Sequence, residues 1–579
     1  MTRFRPAALG LGIALCGAWG VLAAGSVTAG GTSAAHLSRS SDVRSSPAGT
    51  TPGERFYRTG IGPGGNAVAV TVQGDLRLRS TDMPCVNCHR RSGWGTTEGP
   101  VTAPPIVGRV LFSPVTLGNP QMGVRTTGPG TRPAYDAPAL LRALRDGIDP
   151  AGRPLSGTMP RYTVTEGDAA SLGTYLGTLN GTPPPGVTDS TLHLATITSP
   201  DSDQRRQQAM LGVLREFVTV KNADTRHETR RRERGPWDMK SQYDLYRHWE
   251  LHEWVVKGDP RTWPAQLEAQ YAKQPVFAVV GGLADGDWTP IHTFCERNDL
   301  PCVFPLTATP PEQRVDDDFY SIYFSRGVTL EADALAHYLK DAGAARAART
   351  TLQVARCGSE EARASRLLAE QLGPAAMSFQ CVAQTEALTA AAWQTILRAR
   401  PGALVAWLPP ADLVGLGELA ARPHALDGVS QVYLSASLLG DAVATMAPAL
   451  RERAFLVDPF VPPDEFESHA ARSLVWLKSR SLTTADRLVS VNAFFGITAV
   501  ADAVGTPRAL GSREYFVELV EHMVGRSPQR SAYPTLSLSA QRRFASLGCY
   551  VLKIPADPGG TFRKVGAWFV PERRDVKEK

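Results

Sequence analysis

The sequence predicts a multidomain protein in which a small all-α domain precedes a larger α/β domain with a parallel sheet covered on both faces. Three observations carry this. Residues 54–182 combine helical apolar spacing with Gly/Pro-rich loops and little strand character. A proline-rich break, "NGTPPPGVTDS", follows at 180–190. Beyond it, short β-branched runs alternate with helical patterns, as in strands joined by crossover helices. With 43% hydrophobic and 20% charged residues over 579 positions, the chain is globular and too long for one core. Its net charge of +6 comes without a dense basic stripe, so composition gives no reason to expect nucleic-acid binding.

The chain opens "MTRFRPAALGLGIALCGAWGVLAAGSVTAGG", with Arg3 and Arg5 before an apolar run from Ala7 to Ala24 and small residues after it. That order predicts a secretory signal peptide over residues 1–29, cleaved after Ala24 or Ala29. The run also reaches the lower edge of a membrane span, so an uncleaved N-terminal anchor is the alternative and the only expected membrane contact. Cys16 follows Leu15 rather than a small residue, which argues against a lipoprotein site. Export to the periplasm is the consequence. Residues 30–53, rich in Ser, Gly, Thr and Ala, read as a flexible linker.

Within 54–182, helices are predicted at "APALLRALRDG" (137–147) and "EGDAASLGTYLGTL" (166–179). Leu140, Leu141 and Leu144, and Leu172, Tyr175, Leu176 and Leu179, take helical spacing. Residues 183–190 are a second linker. The α/β region covers 191–572, with strands at 192–198, 276–282, 350–355, 403–408, 431–436 and 454–460, and helices such as "EADALAHYLKDAG" and "EARASRLLAEQLG". A charged tail, 573–579, closes the chain.

The motif with chemistry is "CVNCH", in which Cys85, Cys88 and His89 form C-x-x-C-H. Two thiols at this spacing add to the vinyl groups of one haem while the next residue reaches the iron. A thioredoxin-type pair would need a βαβ setting, and a zinc site a second ligand pair; 54–182 supplies neither. A structural disulfide would leave His89 unexplained. Met159, in "MPRY" before the last helix, is a soft ligand placed to complete His/Met coordination, ahead of Met83 and Met122.

With "ERFYRTG", "CVNCHRRSGWG", "PPIVG", "LLRALRDGIDPAGRPL" and "MPRY" in this order, the block resembles class I c-type cytochromes over all of 54–182. The resemblance implies an all-α cytochrome c domain with one covalently bound haem c. Cys85 and Cys88 would be its attachment points, and His89 and Met159 its axial iron ligands. A long loop, 99–134, departs from the simplest members. The block holds 13 Arg and no Lys against 9 acidic residues, a surplus that suits an acidic redox partner or an ordinary solvated surface.

From "LHLATITSPDSDQRRQQAMLGVLREF" onward, through "PVFAVVGGLADGDWTPIHTFCERNDLPCVFPLT", "FYSIYFSRGVTLEADALAHYLKD" and "ADRLVSVNAFFGITAVADAV", the chain resembles type I periplasmic binding proteins of the branched-chain amino acid receptor group. That resemblance implies a bilobed fold of two Rossmann-like lobes joined by three crossings, closing on a small molecule in the cleft. By position, Ser199, Gly282, Trp288, Thr307, Tyr323 and Ser325 are the ligand-binding candidates, at loops beyond the strands' carboxyl ends. No clear set of contacts for an amino acid's two charged groups stands out.

The exported context makes Cys295 with Cys302, and Cys357 with Cys381, candidate disulfides, and leaves Cys549 over as a buried thiol. The basic run 225–235 reads as a solvated insertion. His248 and His252 are four apart, but the strand pattern there argues against a shared metal face. No nucleophile elbow, phosphate loop or carboxylate pair stands out, so the expectation is a protein that is not an enzyme. Two readings follow. In the first, a monohaem cytochrome carries single electrons between a periplasmic dehydrogenase and another acceptor such as a second cytochrome, with the bilobed module binding a solute or docking a partner. In the second, the chain is a solute receptor for import or sensing, with the haem as sensor or structural element.

Overall fold

The computed structural model describes residues 50–98, 101–116, 130–179, 183–225, 247–314, 317–341, 351–373, 377–482, 486–506 and 508–571. The signal segment, nearly all of the 30–53 linker, Met122, the basic run beyond Thr225 and the 573–579 tail lie outside them. Residues Thr51–Lys579 form one compact unit.

The first block begins with helix Pro52–Thr59, where Thr51 accepts a hydrogen bond from the Glu54 N–H and proline takes the first turn. It packs on helix Glu166–Thr178, which opens with a reciprocal Thr165/Asp168 capping box. Helix Ala137–Arg145, capped by Asp136, completes the framework around Phe56, Tyr57, Leu140, Leu144, Leu172 and Leu176. Both longer helices fall where apolar spacing predicts them.

The block is not all-α. It carries β1 (Ala69–Val72), β2 (Leu76–Arg79), two short hairpins of β3 (Thr96–Glu98) with β4 (Val101–Ala103) and β5 (Val115–Thr116) with β6 (Thr131–Arg132), and β7 (Arg161–Tyr162). Strands β2, β1 and β7 form one antiparallel sheet. The cause is local: "AVTVQGDLRLR" is two alternating runs about a turn in which Gln73 and Gly74 take φ 53° and 94°.

The second block has two parallel sheets. In the first lobe β8 (Thr191–Thr198), β9 (His248–Val255), β10 (Ala278–Val280), β11 (Cys302–Val303) and β12 (Ser321–Ile322) lie in the order β12-β11-β10-β8-β9. The side chains of β8 divide between its faces. Leu192 and Leu194 join a core with helices Gln204–Thr225 and Arg487–Val504, while Ala195 and Ile197 join Trp254, Trp263 and Phe294. Helix Arg487–Val504 is long and apolar enough to cross a membrane, and 72% of it is buried inside the protein.

In the second lobe β13 (Thr351–Arg356), β14 (Met377–Val382), β15 (Ala403–Trp407), β16 (Gln431–Ser435) and β17 (Ala454–Asp458) run parallel in the order β14-β13-β15-β16-β17. Strands β18 (Tyr550–Lys553) and β19 (Arg563–Lys564) extend the sheet antiparallel. The chain passes between lobes near 324–327, again between β17 and helix Arg487–Val504, and a third time over 531–549, where Tyr323 bridges Phe544.

A disulfide joins Cys357 and Cys381, whose strands pair in register with Ala355 opposite Cys381. The expected Cys295–Cys302 bridge is absent: both are buried thiols in the first lobe's core. Burial, with Cys302 beside it, holds the Cys295 thiol well above its ordinary range. Cys549 is a buried thiol. The described part of the second linker is pinned rather than loose, since Arg513 donates to the Pro185 carbonyl at 3.0 Å and His193 N–H to that of Gly186 at 2.8 Å.

Candidate functional site

His89 ends a short helix, Val86–His89, that starts from Cys85. Its ring is only 7% exposed, and Nδ1 lies 2.9 Å from the Pro104 carbonyl oxygen. A carbonyl only accepts, so Nδ1 carries the proton and Nε2 keeps its lone pair. Burial lowers the pKa of the ring and favours the neutral form. The surrounding loop is tied down by Gly95 N–H to the His89 carbonyl at 3.0 Å and Ile106 N–H to that of Gly93 at 2.8 Å.

Cys85 is a thiol, pushed up to about 12 by burial. It packs with Met83, Val86, Ile106 and Met159 against the block's core, so Cys85 and Met159, distant in sequence, meet one apolar cluster. Tyr162 fixes the neighbouring backbone by donating to the Met83 carbonyl at 2.6 Å. A neutral imidazole with a free Nε2, thiols three positions apart and a half-buried thioether are a donor set that fits a c-type haem.

The residues directly after His89 dock on the first lobe. Arg90 pairs with Glu521 at 2.7 Å, and Ser92 gives its N–H and hydroxyl to Glu518 at 3.0 and 2.6 Å. Both acids lie on helix Arg513–Val524. Trp94 sits between the guanidinium groups of Arg109 and Arg508, 4.9 and 4.8 Å from its ring, and meets Tyr515 at 5.7 Å. Arg91 covers Phe319 at 4.4 Å. Glu521 also faces the buried Arg543 at 3.2 Å, in the third crossing. Burial pushes the Glu518 carboxyl up to about 7.

Among the cleft candidates, Ser199, Gly282 and Trp288 come together beyond β8 and β10. The Ser199 hydroxyl accepts from the Asp285 N–H at 2.9 Å. Gly282 has φ 115°, and a Cβ there would stand 2.8 Å from the Trp288 ring, so glycine is what lets the indole close over the loop. Trp288 is buried with Nε1 unpartnered. Thr307 follows Leu306, whose N–H reaches the Gly282 carbonyl at 2.8 Å, and its own hydroxyl accepts from the Thr309 N–H at 3.1 Å. Ser325 accepts from the Gly327 N–H at 3.0 Å as the chain leaves the first lobe. Tyr323 is buried in the core of the first lobe, its hydroxyl 3.0 Å from His292 Nδ1, with Asp318 3.3 Å from Nε2.

The second lobe contributes groups that motif reading missed. Glu331, fully buried on helix Val328–Asp341, accepts from the Ser437 N–H at 2.8 Å through Oε1, while Oε2 makes no hydrogen bond. Burial raises its carboxyl to about 7, partly offset by Ser435 and Ser437. Asp458, at the carboxyl end of β17, is also buried and held well above the carboxylate range, and the Glu331 charge adds to that shift. Tyr533 lies beside them, stacked on Phe324 at 5.3 Å and against Phe460 at 4.8 Å. At the rim, Arg363 donates to the Pro310 carbonyl at 2.8 Å and bridges the lobes. A signal for Glu331 was present: it is an acid on the apolar stripe of "VTLEADALAHYL".

No family model matches the chain, and no curated protein matches it. Solved structures do resemble it. A solute-binding protein of an ABC transporter from R. palustris, in complex with benzoate, is 12% identical, with a TM-score of 0.50 over 66% of this chain and 97% of its own. A branched-chain amino acid ABC transporter from Thermus thermophilus with bound valine is 12% identical, with a TM-score of 0.49 over 66% and 98%. A fatty acid ABC transporter substrate-binding protein from Thermomonospora curvata is 16% identical, with a TM-score of 0.47 over 67% and 95%. The first establishes the bilobed type I binding-protein fold for this chain, and the likeness is one of fold.

Proposed function

We propose that the chain is an exported solute receptor whose cleft takes a small molecule carrying hydrogen-bond donors, hydroxyl or ammonium. The observation that carries this reading is the buried pair Glu331 and Asp458 at the lobe boundary, with one Glu331 oxygen left without a hydrogen bond. A dry, half-satisfied carboxyl is costly; when ionised it would be repaid by a donor on a bound solute, and when protonated it would donate to a solute hydroxyl. Ser199 and Thr307 lie on loops beyond strands of the first lobe, and Ser325 stands where the chain leaves it. The receptor would deliver its solute to a membrane importer or a sensor in the periplasm. The test is thermal unfolding against a panel of polyols, sugars, amines, amino acids and aromatic acids. Stabilisation by donor-bearing compounds, lost on Glu331→Ala, supports the reading; stabilisation only by plain carboxylic acids refutes it.

The Nδ1 contact of His89 favours a second component: a covalent haem on the first block. Cys85 and Cys88 would attach it, His89 Nε2 and Met159 would ligate its iron, and the Pro104 carbonyl would fix the orientation of His89. Such a group supplies one-electron transfer when bound. The electron-carrier reading, with a periplasmic dehydrogenase or cytochrome as partner, rests on this component alone; the cleft supports the receptor, with the haem block as its redox sensor. Absorption spectra of protein matured with c-type attachment, with haem resistant to acid-acetone extraction, test it; extractable or absent haem refutes it.

A further inference from the structure

We infer that His193, Glu250 and His252 form a binding site for a borderline divalent transition ion, with zinc as the reference metal. The site lies on strands β8 and β9 of the first lobe, toward the ends opposite the cleft loops. Strands β8 and β9 run parallel with His193 opposite Glu250 and Ala195 opposite His252, so the three ligating side chains project from one face across two adjacent strands. Ala195, opposite His252, is buried in the apolar core that continues this face toward Trp254.

The distances fit a metal. His193 Nδ1 is 3.0 Å from His252 Nε2 and 3.3 Å from Glu250 Oε2, and His252 Nε2 is 3.9 Å from that oxygen. Four ligands at about 2.05 Å around zinc have edges of about 3.3 Å, so this triangle has the size of one tetrahedral face. Two nitrogens and one carboxylate oxygen suit zinc and its neighbours in the series rather than calcium or magnesium. The exposed side is that of Glu250, whose side chain is 47% exposed against 13% for His193, which leaves a direction for water as a fourth ligand. The competing account is a hydrogen bond between the rings, stacked with centroids 5.3 Å apart.

The position indicates a structural clip. Strand β9 is an edge of its sheet, and His193 lies five residues before the carboxyl end of β8, about 17 Å from the cleft loops. A metal here would fasten that edge strand to β8 beside the point where the 183–190 segment joins the lobe.

The experiment is calorimetric titration of ZnCl2 into the full mature chain, without a histidine tag and washed with EDTA, which leaves covalent haem in place. One equivalent of zinc bound at micromolar affinity or tighter, weakened at least about 100-fold by His193→Ala and by His252→Ala but not by His248→Ala, supports the site. Affinity unchanged by both substitutions, or no binding below millimolar zinc, overturns it and leaves a histidine hydrogen bond. Zinc-edge absorption of the unsubstituted protein is independent of variant folding: two imidazoles in the coordination sphere support the assignment, and fewer overturn it.

Discussion

Replacement of Glu331 by Gln tests whether the buried carboxyl at the lobe boundary is held in its protonated form. Its pKa moves from 4.5 to about 7 on folding, with burial as the main cause. A raised acid binds its proton more tightly in the folded state. Its stabilising contribution is therefore complete below pH 4.5 and is lost as pH rises through 7. The difference amounts to ~3 kcal/mol. Gln keeps an acceptor for the Ser437 N–H and cannot ionise, so the variant should escape that loss. Relative to wild type, its Tm should rise by on the order of 5 °C between pH 5 and pH 8. Glu518 imposes a slope of the same sign and is present in both proteins, so it cancels in the comparison. Asp458 faces Glu331 and ionises more easily once that charge is gone, which reinforces the gain at high pH. The assay is differential scanning calorimetry of both proteins at four pH values. A Tm difference that stays flat across the range would refute the buried-acid account.

Three further outcomes are expected. Glu518→Ala strands the Ser92 N–H and hydroxyl and should weaken docking of the first block by about 2 kcal/mol, read as ~30-fold faster hydrogen exchange over residues 90–95; unchanged exchange contradicts the interface. Gly282→Ala places a Cβ against Trp288 at positive φ and should cost about 1–3 kcal/mol, seen as a lower Tm; an unaltered melt contradicts the loop geometry. Met159→Ala should remove a methionine-to-iron absorption band and lower the reduction potential; an unchanged spectrum and potential would sink the ligand assignment.

The helices at 137–145 and 166–178 were legible from their apolar period and caps, and the six central strands at 192–198, 276–282, 350–355, 403–408, 431–436 and 454–460 from short apolar runs, whereas the short β11 and β12 gave no such run. The β1/β2 hairpin is readable in its alternation and Gln-Gly turn, yet a block otherwise dominated by loops masked it. The antiparallel return of β18 and β19 has no local signal, since only the third crossing brings 550–564 beside β17. At the site, "CVNCH" named three residues at once because its chemistry is packed into five positions. The cleft has no such compression. Glu331, Asp458 and Tyr533 together span about two hundred positions of the chain and meet only through sheet register and crossings. Tyr323 looked like a loop residue, and its pairing with His292 depends on a helix thirty positions upstream.

The contact through Arg90, Ser92 and Trp94 has a consequence for how tightly it must bind. Segment 183–190 tethers the two sides, so their encounter is intramolecular, with an effective concentration on the order of millimolar. A contact with a free-standing Kd of about 10 μM would then be closed roughly 99% of the time. One ion-pair network and a stacked tryptophan therefore suffice, and the same surfaces expressed as separate chains would scarcely associate at submicromolar concentration. A single proteolytic cut in that segment would convert a permanent assembly into a dilutable one.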